Sequence, residues 1–303
     1  MPQALELFQT EYNDNITPRY QQTKSRLSDF VEWDELNAER KDYPRSAAAT
    51  NSISAGIPNN YNAITNNAAN RFQATPITQP DFDKRWAYGE VKYKFAHFNE
   101  WDEKLLGTIA LPRSTVQREA MATFSRDSDD VLWVAALGNA KSGFAGTADS
   151  ALPTGQKIAA GGTGMTLAKL ISTLDILDDA DNLDEDGEQD RVFLWTVRER
   201  SALLNTVEVK SSDYNTVKAL SEGKIDTFMG FKFKLIKRLP NSAGVRSCVA
   251  LQKGALKGYK YRMETKFGIR GDIFNALQIS DSWRLGAVRL HDEGVVQVDV
   301  TSV

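Results

Sequence analysis

The segment "DFDKRWAYGEVKYKFAHFNEWDEKL" (residues 81–105) holds the clearest local pattern in the chain: Val91, Tyr93 and Phe95 alternate with Glu90, Lys92 and Lys94. A period of two belongs to a strand with one apolar and one polar face, so a half-exposed strand is predicted here. Upstream the composition changes. Residues 46–80, "SAAATNSISAGIPNNYNAITNNAANRFQATPITQP", carry seven asparagines and a single charge, Arg71. A connection of that length has no place inside a compact domain. Disordered segments ordinarily carry many charges, whereas this one keeps Ile53, Ile57, Tyr61, Ile64 and Phe72. An arm ordered by lying on another surface fits better than a free linker. Before it, apolar residues from Leu5 to Val31 recur at helical spacing, interrupted by Pro18, and predict a helical segment over 4–36.

Downstream, "STVQREAMATFSRDSDDVLWVAALG" (114–138) repeats Val116, Ala120, Phe124 and Val131 at helical intervals and stops at Gly138. Those four residues are predicted to form the buried stripe of a helix from Ser114 to about Leu137, a rod of about 36 Å at ~1.5 Å per residue. The Gly, Ala and Ser-rich stretch 138–164 reads as a boundary between subregions. After it come an amphipathic helix in "MTLAKLISTLDILDDA", capped by Thr166, a buried strand "RVFLWTV" (191–197) and a short helix "RERSALLNTV". The segment "SSDYNTVKALSEGKIDTFMGFKFKLIKRLP" (211–240) predicts a helix capped by Ser212 and stopped by Gly223. A strand with Phe231, Phe233 and Leu235 on one face follows, closed by Pro240. "GVRSCVALQK" (244–253) is a further strand. The tail "GAVRLHDEGVVQVDVTSV" holds two alternating runs joined by Asp292-Glu293-Gly294, a hairpin signal. Helices and strands mix without a βαβ rhythm, which predicts an α+β fold.

The chain has 303 residues, 41% of them hydrophobic and 25% charged, enough for one large or two medium units with real cores. A net charge of −3 argues against a broad basic face for nucleic acid. The lone cysteine, Cys248, lies in an apolar run and is expected to be a buried thiol in a reducing compartment. The start "MPQALELFQTEYNDN" lacks the pattern of a signal peptide, and no stretch approaches the ~20 apolar residues of a membrane helix, so a soluble protein made in the cytosol is expected.

Catalytic chemistry is not evident. Only His97 and His291 exist, without a "GxSxG" elbow, and no Cys/His cluster suggests zinc. The run "DDADNLDEDGEQD" (178–190) has eight acidic residues in thirteen and aligns as a calcium loop with Gly187 at the sixth place. The twelfth place, which must supply a bidentate glutamate, is then Phe193, so a solvated loop is the better reading. "AAGGTGMTLAKL" has glycines before a helix, but its Lys169 lies inside that helix rather than in a phosphate loop. Aromatic and basic residues interleave at 84–101, yet two glutamates and the negative chain weigh against stacking on single-stranded nucleic acid. No catalytic residue, cofactor or metal is expected, and an enzyme is the least favoured class.

The order of elements resembles the major capsid proteins of tailed bacteriophages: an N-terminal arm, an extended loop, a long spine helix and an α+β domain. The segments that carry the resemblance are collinear. They are "RWAYGEVKYKFAHFNEWDEKLL", "STVQREAMATFSRDSDDVLWVAALGNAKSG", "LPTGQKIAAGGTGMTLAKL", "SSDYNTVKALSEGKIDTFMGFKFKLIKRLP" and "SWRLGAVRLHDEGVVQVDV". The resemblance implies an N-terminal arm over 1–39, an extended β-hairpin loop over 40–100, a peripheral domain from 101–164 and 271–303 with spine helix 114–137, and an axial domain over 165–270. It further implies a shell protein that self-assembles into hexamers and pentamers around packaged double-stranded DNA, touched only weakly and non-specifically. A scaffolding protein, a portal and a decoration protein would be further partners. Inter-subunit contacts would then involve Arg71, Phe72, Arg85, Trp86, Tyr88, Tyr93 and Phe95. An encapsulin, a cargo compartment of the same fold, is the alternative. Loss of Trp86 or Phe95 is expected to weaken assembly and spare the subunit.

Overall fold

The computed structural model describes residues 21–35, 38–46, 82–98, 113–179, 190–205 and 227–301. In chain order these form β1 (Glu32–Glu35), β2 (Arg40–Ser46), β3 (Phe82–Phe98), α1 (Arg113–Leu137), β4 (Ala140–Ser142), β5 (Ala148–Ser150) and β6 (Lys157–Ile158). Then come α2 (Leu167–Asp179), β7 (Arg191–Trp195), α3 (Val197–Leu204), β8 (Thr227–Phe228), β9 (Phe231–Leu235) and β10 (Asn241–Ser242). The last four strands are β11 (Val245–Gln252), β12 (Leu256–Arg270), β13 (Ala276–Arg289) and β14 (Val295–Thr301). Residues 180–189 and 206–226, which include most of the acidic run and the helix expected after Ser212, lie outside the described residues.

The strands make two seven-stranded mixed sheets. The first runs β1-β12-β13-β3-β4-β5, with β2 also paired to β3; the second runs β6-β14-β11-β7-β9-β8, with β10 beside β11. The second sheet is covered on both faces, and its middle strand β7, "RVFLW", is buried at all five positions. Alternation sorts its side chains. Val192 and Leu194 pack with Val249, Leu251, Val295 and with Leu132 and Ala136 of α1. Phe193 and Trp195 pack on the other side with Phe231, Phe233, Cys248 and the valines of β14, under α2 and α3. The four aromatics interlock, with ring centroids 4.2 Å apart for Trp195–Phe233 and 5.9 Å for Phe193–Phe231. Burial also pushes the Cys248 thiol well above its ordinary pKa.

In the first sheet, glycine is required where the ring of Tyr259 lies flat across two neighbouring strands. A Cβ on Gly286 would stand 2.4 Å from that ring and 2.6 Å from the Tyr88 carbonyl; one on Gly89 would stand 2.0 Å from the Tyr259 hydroxyl. The ring fills the space the glycines leave, and its hydroxyl donates to the Glu39 carbonyl at 3.2 Å.

Four expectations change. Where it is described, the N-terminal segment is a 3-10 turn, Ser28–Phe30, followed by strand β1, and not a helix. Buried Asp129 of α1 accepts hydrogen bonds from Ser25 Oγ at 2.6 Å and from the backbone N–H of Arg26 and Leu27 at 3.0 and 3.2 Å. Those amides are engaged before a helix could use them, and β1 pairs in parallel with β12. Second, β13 and β14 do not form a hairpin. The turn at 290–294 carries the chain from one sheet to the other, because β14 pairs with β11 and β6 and supplies Val296, Val298 and Val300 to the second core.

Third, the sheets divide the chain differently from the expected domains: β12, placed within 165–270, belongs to the first sheet, and β14, placed within 271–303, to the second. The crossing from first to second sheet falls inside the Gly-rich 138–164 stretch, between β5 and β6. Fourth, the fully buried apolar positions of α1 are Ala120, Ala122, Leu132 and Ala136, while Val116, Phe124 and Val131 are half-buried. The helix bridges two surfaces, the first sheet early and the inter-sheet core late, so no single stripe is buried throughout.

Candidate assembly surface

Past Gly89, strands β3, β13 and β12 continue as a three-stranded ribbon with α1, among the described residues, on one side only. The register pairs Lys92 with Trp283, Lys94 with Asp281 and Ala96 with Ile279, so these residues share a face. That is the face α1 covers. Trp283 meets Phe124 edge-on with ring centroids 6.1 Å apart and donates from Nε1 to Asp127 at 3.2 Å. Lys92 Nζ lies 3.5 Å from Asp127, and Lys94 Nζ 3.5 Å from Thr123 Oγ1 and 3.9 Å from Glu119. The lysines thus lay their stems on the sheet and place their ammonium groups on the helix's carboxylates.

The apolar row therefore faces the opposite way. Val91, Tyr93 and Phe95 are 46%, 63% and 54% exposed, and the rings of Tyr93 and Phe95 stack at 6.0 Å with an interplanar angle of 7°. Across from them β13 offers Arg284, Ser282 and Ser280, which bury nothing large. Trp283 and Ile279 already fill the helix-facing side, so the apolar row of the half-exposed strand is its outward face. At the ribbon's end the β12–β13 turn presents Ile269 at 74% and Phe274 at 90% exposure. Phe274 and Asn275 both take left-handed backbone there, at φ 46° and 56°.

The other expected contact residues divide. Trp86 Nε1 donates to the Gly143 carbonyl at 2.7 Å and carries the Arg40 guanidinium 4.8 Å from its ring. The Tyr88 hydroxyl donates to the Gly146 carbonyl at 3.1 Å. Both pin the 143–146 turn to β3 of their own chain. Arg85 is not a surface residue at all. It is 2% exposed and paired to Asp292 at 2.9 Å, and burial lowers its pKa. Asp292 also accepts from Arg289 Nε at 2.6 Å, and Arg289 donates to the carbonyls of Ala136, Gly138 and Ser150. Arg289 thereby satisfies the orphan carbonyls at the end of α1. Arg71 and Phe72 lie outside the described residues. Sequence reasoning passed over Val91, Ile269 and Phe274; the signal available for the last two was "FGIRGDIFN" (267–275), apolar side chains flanking a turn.

Of the groups weighed for chemistry, Lys169 has structural partners. Lys169 Nζ donates to the carbonyls of Ala160, Thr163 and Asp299 at 2.8–3.1 Å and so ties the Gly-rich loop to β14; burial lowers its pKa. His97 stands exposed on β3 and His291 beside the inter-sheet turn. Among the described residues no group of three or more His, Cys, Asp or Glu could hold a metal ion, and no helix is long and apolar enough to cross a membrane.

A family model described as phage capsid protein matches residues 4–302. The chain belongs to the phage capsid protein family. Among curated proteins, none matches it in sequence. Among solved structures it is similar to the capsid of Ralstonia phage GP4 at a TM-score of 0.69 and 10% identity, covering 100% of this chain and 96% of that one. Similar too is a chain of Mycobacterium phage Che8, at 0.67 and 13%, covering 98% of each. The SrpI encapsulin of Synechococcus elongatus matches at 0.61 and 12%, covering 98% of this chain and 94% of that one. At such identities the shared property is the fold, that of tailed-phage major capsid proteins. The capsid family is a structural one, so this chain is a shell protein of the virion and not an enzyme.

Proposed function

We propose that this capsid chain is the major subunit of an icosahedral head, closing into hexamers and pentamers around packaged double-stranded DNA. The observation that carries the reading is the outward row Val91, Tyr93 and Phe95, a built apolar surface with nothing of its own subunit over it among the described residues. Residues 40–100 then act as the extended loop that reaches a neighbour. The first sheet with α1 supplies the peripheral body, and the second sheet supplies the axial one. Assembly takes place in the bacterial cytoplasm with a separate scaffolding protein, a portal and, where present, a decoration protein. The DNA is contained and not gripped, in keeping with the net charge of −3.

The test is electron microscopy of the purified chain beside a Tyr93→Ser/Phe95→Ser variant. Closed shells or rings are expected for the first and unassembled subunits with an unchanged melting temperature for the second. A native chain that stays monomeric at high concentration, with and without scaffold, defeats the reading. DNA inside the shells separates a phage head from a cargo compartment, which would hold a protein instead.

A further inference from the structure

Beneath α1, the helix-facing side of the ribbon holds a carboxylate that is only half served. Asp281 of β13 is 1% exposed, and its Oδ1 accepts from Thr265 Oγ1 at 2.6 Å, while its Oδ2 has no hydrogen-bond partner. Buried polar atoms are ordinarily partnered, and leaving a charged one short is costly.

The cation it lacks stands beside it. Lys94 is the residue directly opposite Asp281 on β3 and shares its face, where cross-strand Cβ atoms lie about 4.5–5.5 Å apart. Its ammonium is turned to α1 instead, 3.5 Å from Thr123 Oγ1 and 3.9 Å from Glu119, whose side chain is 45% exposed. That seat is crowded. Thr123 Oγ1 also accepts from Arg126 Nη2 at 3.0 Å and donates to the Glu119 carbonyl at 2.8 Å, so two cations share one hydroxyl. An ion pair this long to a half-exposed partner contributes little. A lysine is thus loosely held on the helix while the buried carboxylate next to it goes short, a local conflict that a second arrangement removes.

The helix decides between the two. Asp281 Oδ2 is sealed from solvent, so no ammonium reaches it while α1 lies on the ribbon. The two halves of α1 are held unequally. From Asp129 onward it is fixed by Ser25 on Asp129, by Arg238 on Asp130 at 2.7 Å, by Leu132 and Ala136 in the inter-sheet core, and by Arg289 at its end. Ahead of Phe124 its fully buried side chains are the alanines Ala120 and Ala122, and Lys94 reaches it only through the two long contacts. Between the halves stand the contacts of Trp283 with Phe124 and Asp127.

We propose that Lys94 has two seats: on Thr123 and Glu119 when the first turns of α1 lie on the ribbon, and on Asp281 when those turns lift. Lifting returns Asp281 to water and gives it a partner, so the subunit carries a hinge that pivots about the Trp283 contacts. The hinge belongs to the lone subunit and stands apart from the shell reading.

Two measurements test it. A carbodiimide activates carboxylates that water reaches and joins them to a neighbouring amine, so it reads the seats on the unaltered chain. After digestion, mass spectrometry should find Lys94 joined to Glu119 and, in a smaller share, to Asp281. Absence of the Asp281 link would overturn the proposal. Glu119→Lys, which makes the helix seat repel the ammonium, should raise the share of that link severalfold, and an unchanged share would refute the exchange of seats.

Hydrogen exchange of the unassembled chain reads the hinge through Asp281→Asn, which keeps an oxygen for Thr265 and removes the charge. Closing then no longer buries a carboxylate and opening no longer yields a pair. Amides of Glu119–Phe124 should exchange at least about tenfold more slowly than in the native chain, with those of β7 unchanged. A carboxylate that merely braces the closed helix would give the opposite sign, so faster or unaltered exchange at Glu119–Phe124 would refute the hinge.

Discussion

Asp129 shows what one buried carboxylate does for this subunit. It sits in the middle of α1 and is fully buried, and it takes the side chains of Gln22 and Ser25 and the amides of Arg26 and Leu27. Asp129→Ala leaves two amides and a hydroxyl without an acceptor, so a loss of about 3 kcal/mol is expected in urea unfolding, at 1–3 kcal/mol for each unsatisfied buried group less partial hydration. A variant within 0.5 kcal/mol of the native chain would show that the N-terminal segment is not held this way. Asp190 adds a pH-dependent contribution. Its hydrogen bond to Lys232, and secondarily its contact with Lys253, hold its carboxyl below the ordinary range. The folded pKa is depressed, so the stabilisation is complete above the unfolded value of about 3.9 and is lost as pH falls through the folded one. Asp190→Asn should therefore lower the urea midpoint at pH 7, and the gap between variant and native chain should narrow as pH falls below about 3.9. The group is partly solvated, so the gap is expected to be small, and a gap that widens in acid contradicts the assignment.

At the scale of elements, Arg289 joins three of them: the end of α1, the end of β5 through the Ser150 carbonyl, and the turn between β13 and β14 through Asp292. Arg289→Ala removes the charge that Asp292 and the helix carbonyls were placed around, and about 3–5 kcal/mol should be lost in chemical unfolding, as for other broken buried pairs. Phe124→Ala should cost less than a fully buried phenylalanine, about 2 kcal/mol, since that ring is half-buried against the edge of Trp283. How far the elements were legible depends on where their partners lie. β7 and β11 follow periodicities that their own residues complete, and their sequence boundaries, with those of α1, hold within a residue or two; β9 ends at Leu235, short of the expected stop at Pro240. The N-terminal segment and the tail misled because their outcome is set by distant groups. Asp129 claims the amides of Arg26 and Leu27 about a hundred positions away, and β11 claims β14 from across the turn. The alternation at 90–95 was legible as a strand, but which face turns inward was settled by Trp283 and Ile279 on another strand.

Over the whole molecule, the two sheets are finished to different degrees, and that asymmetry is what a shell subunit requires. The second sheet is sandwiched between helices on one face and the inter-sheet core on the other. Among the described residues, the outer half of the first sheet has α1 on one face and the exposed Val91–Tyr93–Phe95 row on the other, with the exposed tip at Ile269 and Phe274 beyond. Local opening free energies track buried apolar contact, so the lone subunit should not open uniformly. In hydrogen exchange, amides of β7, β11 and β14 should be the slowest, near the global unfolding limit, while those of β3 from Glu90 to Phe98 and of β12 from Glu264 to Arg270 should exchange orders of magnitude faster. Assembly covers the bare face by hypothesis, so protection at Val91–Phe95 should rise on forming shells while the second sheet stays unchanged. A ribbon as protected in the lone subunit as β7, with no gain on assembly, would mean that the apolar row is already satisfied at home and that some other surface joins the subunits.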